Sequence, residues 1–586
     1  MFDTYKTPIE EQLTSILEEE GVQTAKFQWS TIPFSGHWGI ATSFFQIAAQ
    51  EARAGKKINV SQRAGELATF CAERLVLPQD FVKCEAVKGY LNLYFQTQSF
   101  SRMVIERVLA EGVRYGSLPS THQKVMVEFS QPNTHKSFHV GHLRNMVLGA
   151  AVSNILEFSG DEVIRANYLG DIGLHVITWL WNYEKYHAGE KPPLENKTSW
   201  IGNLYAEAVK RREESEENEE AVRRYFRSWD ARDPEIIELW KETRQWSLDA
   251  FQEIYNVLGI RFDKLYFESE VEHEGKDFVE GLVQKGLAKD ERPDGAVIID
   301  LDAILGTKEE YRVLVLLRSD GTSLYATKDI PLAIKKFEQY HLDRSIYVVD
   351  VRQSLYLKQI FKVLELMGYN WAKHCYHLAY EVVNLPGNVT LASREGTVVL
   401  LEDLLREAEK RAMVIVEQKN PELAQTEKQK IARMVALGSI KYSLLSRDNT
   451  RIVTFDWESA LDVNGQAAPY IQYAAVRANS ILRKEKFVVP ESEVVLHELD
   501  TKEIELVDLL SQFPREVEKA SREFKPLQIA NYAYDLAKAF NDFYATCPVL
   551  SAKDEVRTFR LRLVAATKQA IINSLGLLGI EVPEIM

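Results

Sequence analysis

The sequence predicts a multidomain α/β protein built around a parallel sheet, and three features support this fold class. First, an apolar strand "KVMVEFS", a helix "LRNMVLGAAVSNILEF" and a strand "DEVIRANYLG" follow one another within 124–170. This strand–helix–strand order requires a parallel pair of strands with a right-handed crossover. Second, 586 residues exceed what one hydrophobic core accommodates. Third, the pattern beyond residue 401 is almost entirely helical.

We therefore predict three domains. Residues 1–115 form a small α/β domain that includes the strand "GYLNLYF", and residues 401–586 form an all-α bundle. Between them, residues 116–400 form the parallel-sheet domain, in which "AVIIDLD", "YRVLVLLRSDG" and "RSIYVVDV" are further strands. An insertion at about 182–290 divides this domain, and its charge run "RREESEENEE" is typical of a solvated helix face.

Composition excludes several classes of protein. No apolar run reaches the ~18 residues that span a bilayer, and the acidic N-terminal helix lacks the basic region of a signal peptide. The four cysteines are scattered, which indicates reduced thiols in a cytoplasmic protein without a zinc site. A net charge of −14 argues against indiscriminate nucleic-acid binding, although a local basic groove remains compatible with it.

The loop "FSQPNTHKSFHVGHLRN", residues 129–145, joins the first strand to its helix. Loops of this kind lie at the carboxyl edge of a parallel sheet, beside a helix N-terminus that favours anions. His139 and His142 share a helix face, Gly141 permits close approach, and Lys136 adds a positive charge, a set that suits a polyphosphate. Two histidines that only cap a helix explain the pattern equally well. A metal site is less favoured, because a third ligand at suitable spacing is missing. His135, the remaining histidine of the loop, is expected on a solvent-exposed rim.

At this loop the sequence resembles a known family. "HVGH" resembles the His-x-Gly-His motif of class I aminoacyl-tRNA synthetases, and "VEFSQPNTHKSFHVGHLRN" resembles arginyl-tRNA synthetases in particular. Similar segments follow in the family's order: "NYLGDIGLH", "RSDGTSLYATKDI", "YVVDVRQSLYLKQIF", "SREGTVVLLEDLL", "GQAAPYIQYAAVRANSIL" and "LGLLGIEVPEIM". The resemblance covers essentially the whole chain and implies a Rossmann-type catalytic domain. The implied reaction is ATP-dependent ligation of L-arginine to tRNA(Arg) through an arginyl-adenylate, releasing AMP and pyrophosphate.

The family's amino-acid pocket corresponds to five residues of this chain: Glu128, Asn133, Tyr325, Asp329 and Gln353. The resemblance implies that Asp329 and Tyr325 hold the guanidinium, while the other three fix the ammonium and carboxylate of the substrate. The chemistry agrees, because a guanidinium is a planar fork of five donors that needs carboxylates and other acceptors around it.

The resemblance assigns ATP binding to Gly170 and Asp171 as well as to the histidine loop, with Mg²⁺ accompanying the nucleotide. It assigns catalysis to four residues: His139, His142, Lys136 and Arg394. Two departures from the family stand out. "LASREG" (Leu391–Gly396) replaces the lysine-containing Lys-Met-Ser-Lys-Ser loop, which makes Lys136 the implied substitute for a missing phosphate-binding lysine. "GDIGLH" replaces Gly-Asp-Trp-Gly-Thr-Gln, so the resemblance leaves undecided how the residues around Gly170 and Asp171 contact ATP or arginine.

The helical C-terminal region is the implied anticodon reader, and the N-terminal domain is a candidate contact for the tRNA elbow. Single-stranded RNA loops are recognised by stacking of bases on aromatic side chains. Candidate contacts are Tyr470, Tyr473, Arg477 and Tyr544. An aromatic stripe at this spacing is also typical of a helix core, so both interpretations stay open. The family's relatives imply a monomer.

Three hypotheses follow from the sequence: an arginyl-tRNA synthetase, another class I synthetase or nucleotidyltransferase, and a non-catalytic paralogue that binds RNA. The acids around "YATKD" and "VRQ" favour the first over the second. The altered "LASREG" loop motivates the third, whereas the intact histidine pair and Lys136 oppose it.

Overall fold

The structure, a computed structural model, describes residues 3–24, 26–385, 389–390, 400–487 and 497–586. The chain divides into two compact units. The first unit comprises residues 1–115, 478–512 and 539–570, and the second comprises residues 116–477, 513–538 and 571–586. The helical C-terminal region therefore contributes residues to both units.

The N-terminal part of the first unit is a small α/β fold. Its elements are α1 (Asp3–Glu19), β1 (Trp29–Ile32), β2 (Gly39–Ser43), α2 (Phe45–Arg53), α3 (Val60–Arg74), β3 (Phe81–Val87), β4 (Tyr90–Phe95) and α4 (Thr97–Glu111). The four strands form an antiparallel sheet in the order β1-β2-β4-β3. Alternate residues of β4 are buried, namely Leu91, Leu93 and Phe95, so one face of the sheet packs on the core.

The second unit is built on a five-stranded, wholly parallel sheet. It begins with β5 (Lys124–Glu128), α5 (Val140–Phe158) and β6 (Glu162–Leu169), which confirms the predicted strand–helix–strand unit. The helices α6 (Leu174–Tyr186), α7 (Lys197–Glu214), α8 (Glu216–Asp230) and α9 (Pro234–Leu258) follow, and then β7 (Lys264–Phe267). Strand β7 pairs in parallel with β6, so the parallel sheet includes one strand from the predicted insertion at about 182–290. The four helices enclose their own aromatic core, with Trp179 fully buried in it.

After β7 come α10 (Glu268–Gln284), β8 (Lys289–Asp290), β9 (Val297–Asp300), α11 (Leu301–Leu305), β10 (Val313–Leu317) and α12 (Tyr325–Tyr340). Strands β8, β9 and β10 form a separate antiparallel sheet, which corrects the prediction that "AVIIDLD" and "YRVLVLLRSDG" belong to the parallel sheet. The physical reason is visible in β10. The exposed Val313 and Val315 alternate with the buried Leu314 and Leu316, as in a sheet with one solvated face. The interior strand β5, by contrast, is buried along most of its length.

The parallel sheet is completed by β11 (Arg344–Asp350), followed by α13 (Ser354–Leu366) and β12 (Cys375–Tyr380). The strand order is β12-β11-β5-β6-β7. Along the chain, the strands β5, β6 and β7 extend the sheet in one direction, and β11 and β12 extend it in the other. The order therefore reverses between β5 and β11, and a crevice outside the carboxyl ends of two such strands is where ligands bind in parallel α/β sheets.

The remaining elements are β13 (Val383–Leu385), β14 (Val389–Thr390), α14 (Leu401–Lys419), α15 (Gln425–Leu445), β15 (Val453–Thr454), α16 (Trp457–Ala460), α17 (Ala468–Glu485), α18 (Thr501–Glu523), α19 (Pro526–Thr546) and α20 (Asp554–Leu577). The helical character predicted beyond residue 401 is confirmed, with one exception. Strand β15 pairs in parallel with β13, which pairs in turn with β14.

Candidate active site

The histidine loop ends at the N-terminus of α5, where His139 is the capping residue. Its Nδ1 accepts a hydrogen bond from the backbone N–H of Gly141 at 3.1 Å. The backbone N–H of His139 in turn donates to Nδ1 of His142 at 3.2 Å. A Cβ at Gly141 would lie 2.8 Å from the ring of His139, so the glycine makes room for this imidazole as well as for a ligand.

Both imidazoles are neutral at physiological pH. Burial, reinforced by the charge of Lys136, lowers the pKa of His139 to about 4, and burial holds the pKa of His142 well below its usual range. Because each Nδ1 accepts a backbone N–H, the proton of each neutral ring is on Nε2. The two histidines therefore cap the helix and also present N–H donors, so the two interpretations of the sequence are compatible.

Lys136 supplies the positive charge of this loop. Its Nζ lies 5.0 Å from the ring centroid of Tyr205 on α7, within cation–π range. Burial is the main cause of the low pKa values of His139, His142 and His175, and the charge of Lys136 lowers them further. Burial also lowers the pKa of Lys136 itself. Within the described ranges no neighbouring carboxylate offsets the effect of burial on the pKa of Lys136. This cation is consequently available to a phosphate. Arg394 and the rest of "LASREG" lie outside the described residues.

A cavity of about 280 Å³ opens at the carboxyl edge of the sheet and brings the five predicted pocket residues together: Glu128, Asn133, Tyr325, Asp329 and Gln353. Glu128 is buried at the end of β5, and Asp329 is half-buried on α12. Asn133, Gln353 and Tyr325 are exposed, and Tyr325 at the first turn of α12 is 73% exposed. The pocket thus has an acidic interior and a polar rim.

Asp329 is the carboxylate with the most strongly altered pKa in this cavity. Burial raises its pKa to about 7, and the charges of Glu128 and Glu268 act in the same direction. Tyr356 donates a hydrogen bond from its hydroxyl to Oδ2 of Asp329 at 2.5 Å, which opposes the rise. A cationic ligand would lower the pKa of Asp329 again, because an opposite charge favours the ionised form of a carboxyl.

Glu128 differs from the expectation of a carboxylate free for the substrate. It forms an ion pair with Lys336 of α12, and Nε2 of Gln131 donates to its Oε1 at 3.0 Å. Lys336 is itself 1% exposed, and its Nζ lies within 6 Å of the ring centroids of Tyr266 and Tyr347. Glu128 is therefore already neutralised within the protein.

Sequence reasoning missed several residues of this cavity: Gln131, Tyr168, Glu268, Lys336, Tyr347 and Tyr356. Glu268 opens α10 directly after β7 and pairs with Lys328 at 2.5 Å. Glu268 is the third acid of the pocket, after Glu128 and Asp329, and burial raises its pKa. Its position after a strand of the parallel sheet was the available signal. The sequence pattern hides this signal, because it places the residues of β7 within the predicted insertion.

Comparisons with known proteins decide the family. The family described as class I tRNA synthetases (R), catalytic domain, matches residues 104–457, and the DALR anticodon binding domain matches residues 471–586. An arginine–tRNA ligase of Treponema denticola is 36% identical over 537 residues, covering 89% of this chain and 90% of the relative. The corresponding ligase of Bdellovibrio bacteriovorus is 35% identical over 509 residues, covering 86% of each chain.

The chain belongs to the arginyl-tRNA synthetase family. The solved arginyl-tRNA synthetase of Thermus thermophilus is similar in structure, with a TM-score of 0.75 and 29% identity over 99% of this chain and 100% of that one. The enzyme of Plasmodium falciparum shares the fold, with a TM-score of 0.73 at 20% identity over 100% of this chain and 98% of that one. The family resemblance inferred from sequence is thereby confirmed.

The resemblance assigns Gly170 and Asp171 to the ATP site. In this protein both residues also have structural roles. A Cβ at Gly170 would lie 2.2 Å from Oδ1 of Asn133, so only glycine lets the loop run alongside β6. The carboxylate of Asp171 is fully buried and accepts hydrogen bonds from Arg244, at 2.9 Å, and from Ser269. The carboxylate thus fastens α9 and α10 to the sheet, and the ATP contact that the resemblance implies for Asp171 stays a prediction.

His135 is wrongly predicted as an exposed rim residue. It is fully buried, with Nε2 hydrogen-bonded to Thr243 at 2.9 Å and its backbone N–H to Ser247 at 3.0 Å. Burial holds its pKa well below the usual range, so the ring is neutral. It fastens the histidine loop to α9.

The predicted tRNA contacts fall in both units. In the second unit, Tyr470 and Tyr473 on α17 are half-buried rather than core residues. Tyr473 lies 4.9 Å from the guanidinium carbon of Arg477, and Tyr470 packs 5.5 Å from Tyr534. Tyr544, in the first unit, is 46% exposed. Each of the three tyrosines thus retains accessible surface.

Searches for metal and membrane features were limited to the described part of the chain. There, no cluster of three or more His, Cys, Asp or Glu side chains is arranged to hold a metal ion. No described helix is both long and apolar enough to span a bilayer.

Proposed function

We propose that this protein ligates L-arginine to tRNA(Arg) at the expense of ATP, through an arginyl-adenylate, releasing AMP and pyrophosphate. The observation that carries the proposal is the acidic cavity at the strand-order reversal of the parallel sheet. Asp329 and Glu268 face it together with the hydroxyl of Tyr356. Two carboxyls and a phenol match a guanidinium, whose donors lie in one plane, better than the point charge of lysine.

In the first step, a carboxylate oxygen of arginine attacks the α-phosphorus of ATP, and the bond to the pyrophosphate oxygen breaks. We assign the guanidinium to Asp329 and Tyr325, in the cavity that Glu268 and Tyr356 also line. We assign the ammonium and carboxylate to Glu128, Asn133 and Gln353. Since Glu128 is paired with Lys336, it would bind the ammonium only as a shared carboxylate. These contacts would hold arginine in position for the attack on ATP, and this positioning provides a large part of the catalysis.

The nucleotide is assigned to the N-terminus of α5. His139 and His142 are neutral, so they would donate N–H groups to phosphate oxygens rather than act as cations. Lys136 and Arg394 would provide the positive charge that stabilises the transferring phosphoryl group. Gly141 and Gly170 would let the nucleotide approach the backbone closely. We propose that Mg²⁺ enters with the phosphates of ATP, since the described side chains include no cluster of three or more His, Cys, Asp or Glu that could hold it.

In the second step, the 3′-terminal adenosine of the tRNA attacks the mixed anhydride, and AMP leaves. We propose that residues 116–400 perform both steps, that residues 401–586 read the anticodon, and that residues 1–115 contact the tRNA elbow. Tyr473, Tyr470, Arg477 and Tyr544 are proposed tRNA contacts, because stacking on exposed aromatic rings is the usual mode for single-stranded bases. We further propose that the protein acts as a monomer in the cytoplasm.

ATP–pyrophosphate exchange with each amino acid, with and without tRNA(Arg), tests this function. We expect exchange with arginine alone among the twenty amino acids. Exchange driven by another amino acid would indicate a different class I synthetase. Absence of exchange under every condition, with retained tRNA binding, would indicate a non-catalytic RNA-binding protein.

A further inference from the structure

The acidic cavity is lined by more carboxyls than one guanidinium requires. Three of its lining residues are acids, Glu128, Glu268 and Asp329, and one is a lysine, Lys336. Three carboxylates without counter-charges would attract diamines and polyamines as well as an amino acid, because charges in a site removed from water are poorly screened. The partner that the protein gives to each carboxyl therefore decides which cations the cavity accepts.

Glu128 is the first acid, and Lys336 balances its charge. The two buried side chains form an ion pair. Three aromatic rings also face this ammonium: its Nζ lies 5.9, 5.3 and 5.1 Å from the ring centroids of Tyr168, Tyr266 and Tyr347. Aromatic faces stabilise a cation. The structure thus holds the ammonium of Lys336 beside Glu128 without help from a substrate.

Glu268 is the second acid, and Lys328 balances its charge. Nζ of Lys328 lies 2.5 Å from Oε1 of Glu268, and both side chains are largely buried. Burial raises the pKa of Glu268, and the charge of Lys328 acts against this rise. Lys328 and Lys336 lie about two turns apart on α12. One helix therefore supplies both counter-charges.

Asp329 is the third acid, and its hydrogen-bond partner is neutral. The hydroxyl of Tyr356 donates to its Oδ2 at 2.5 Å. The charge of Lys336 lowers the pKa of Asp329, but burial outweighs it and raises the pKa to about 7. Three carboxylates and two ammonium groups leave one negative charge when Asp329 is ionised. A ligand with one net positive charge balances this set.

Arginine meets this requirement as a zwitterion. Its guanidinium compensates Asp329, and its α-ammonium brings its own carboxylate. Agmatine, which is arginine without the carboxyl group, carries the same guanidinium and ammonium at the same spacing but two net positive charges. Its ammonium would enter beside Glu128, whose charge is already shared with Lys336. A buried charge without a full counter-charge is costly, so the cavity should bind agmatine poorly.

We infer that Lys328 and Lys336 are specificity-determining residues that exclude diamines from the arginine pocket. They pair with Glu268 and Glu128, so that Asp329, among the described carboxyls that line the cavity, is left to the ligand. The inference rests on the proposed function and adds the basis on which molecules with the same guanidinium are distinguished. The two lysines act through the carboxylates and not by contact with the substrate.

The test measures competition between agmatine and arginine in ATP–pyrophosphate exchange, with tRNA(Arg) present and the full-length protein. The quantity compared is the ratio of the Ki for agmatine to the KM for arginine, which partial unfolding of a preparation does not change. We expect this Ki to exceed this KM in the wild-type protein. In Lys336→Met and in Lys328→Met one carboxylate loses its counter-charge. The ratio should then fall about tenfold or more, because an opposite charge nearby changes an ionic equilibrium by about tenfold to 1000-fold.

Two further variants separate the effect of charge from damage to the fold. Lys335→Met is the matched control, because it removes the neighbouring lysine of the same helix. Lys335 is 42% exposed and lies 3.5 Å from Glu274, outside the cavity lining, so the ratio should stay within about twofold of wild type. The double variant Glu128→Gln, Lys336→Met removes both charges of one pair and should return the ratio to near the wild-type value. If Lys336→Met does not fold, Lys328→Met carries the same test.

Several outcomes would overturn the inference. They are a Ki at or below the KM in the wild-type protein, a ratio unchanged in either folded lysine variant, and an equal fall in Lys335→Met. A double variant that binds agmatine as well as Lys336→Met does would also overturn it, since the uncompensated carboxylate would then not be the cause. A wild-type protein that exchanges no pyrophosphate with arginine would instead refute the proposed function.

Discussion

Lys336 and Glu128 form an ion pair inside the proposed arginine pocket, where their side chains are 1% and 5% exposed. The pair joins α12 to the carboxyl end of β5, the two elements that supply Asp329 and the start of the histidine loop. It therefore fixes the floor of the pocket before any substrate binds. It also supplies a cation that balances one of three neighbouring acids.

Replacement of Lys336 by methionine should destabilise the fold by about 3–5 kcal/mol, because it leaves the charge of Glu128 buried without its ion-pair partner. Urea denaturation at pH 7.5 measures the loss. The double variant Glu128→Gln, Lys336→Met removes both charges and should recover more than half of it. A single variant as stable as wild type would show that the ion pair does not stabilise the pocket.

The use of arginine should depend on pH through Asp329. Its pKa of about 7 lies above the ordinary value of 3.8, so the empty folded protein prefers the protonated acid. Protonated Asp329 makes its full contribution to the free energy of unfolding below pH 3.8. This contribution is lost as the pH rises towards 7, because the carboxyl ionises more readily in the unfolded chain. Arginine binding requires the opposite form, so kcat/KM for arginine should rise about tenfold per pH unit up to about pH 7 and then level off. A flat profile between pH 5.5 and 7 would contradict the assignment.

Asp329→Asn tests the same carboxyl by removing its charge at constant size. We expect the KM for arginine to rise about 100-fold or more, because the guanidinium loses a buried counter-charge. The unfolding free energy without substrate should rise or stay equal at pH 8, since a buried charge has been removed. Unchanged arginine affinity would refute the role of Asp329, whereas global unfolding would make the carboxyl structural.

Lys136→Ala should lower the rate of arginine activation about 100-fold with little change in the KM for arginine, because Lys136 is assigned to phosphate charge that develops in the transition state. Lys136→Arg keeps the charge and serves as the control, with most of the rate retained. Single-turnover adenylate formation separates the two parameters. An effect confined to KM would place Lys136 in arginine binding instead.

His139 combines a helix cap with a proposed catalytic donor, and two substitutions distinguish these roles. Asparagine is a good N-cap residue, whereas alanine costs about 1 kcal/mol of stability. His139→Asn should therefore unfold at nearly the wild-type temperature and yet lose about 10²–10³ in activation rate. His139→Ala should lose both. Wild-type activity in His139→Asn would reduce this histidine to a cap.

The parallel core and two of the three pocket acids, Glu128 and Asp329, could be predicted because their signals are local. β5, α5 and β6 have strong apolar patterns, and Asp329 lies in a family motif. β7 was missed because its four residues carry little pattern, so Glu268, which follows it, was missed as well. β9 and β10 were recognised as strands, but an apolar run does not specify its partner strand. The burial of His135 depends on Thr243 and Ser247, more than 100 residues away, and no local signal reports such contacts.

Charging of purified tRNA(Arg) with radiolabelled arginine tests the central claim most directly. With ATP and magnesium present, we expect the wild-type protein to convert the tRNA to arginyl-tRNA up to a plateau near full acceptance, and we expect Asp329→Asn to charge it only at very high arginine concentration. Failure of the wild-type protein to charge this tRNA, or equal charging with lysine or citrulline, would contradict the assignment of the acidic cavity to arginine.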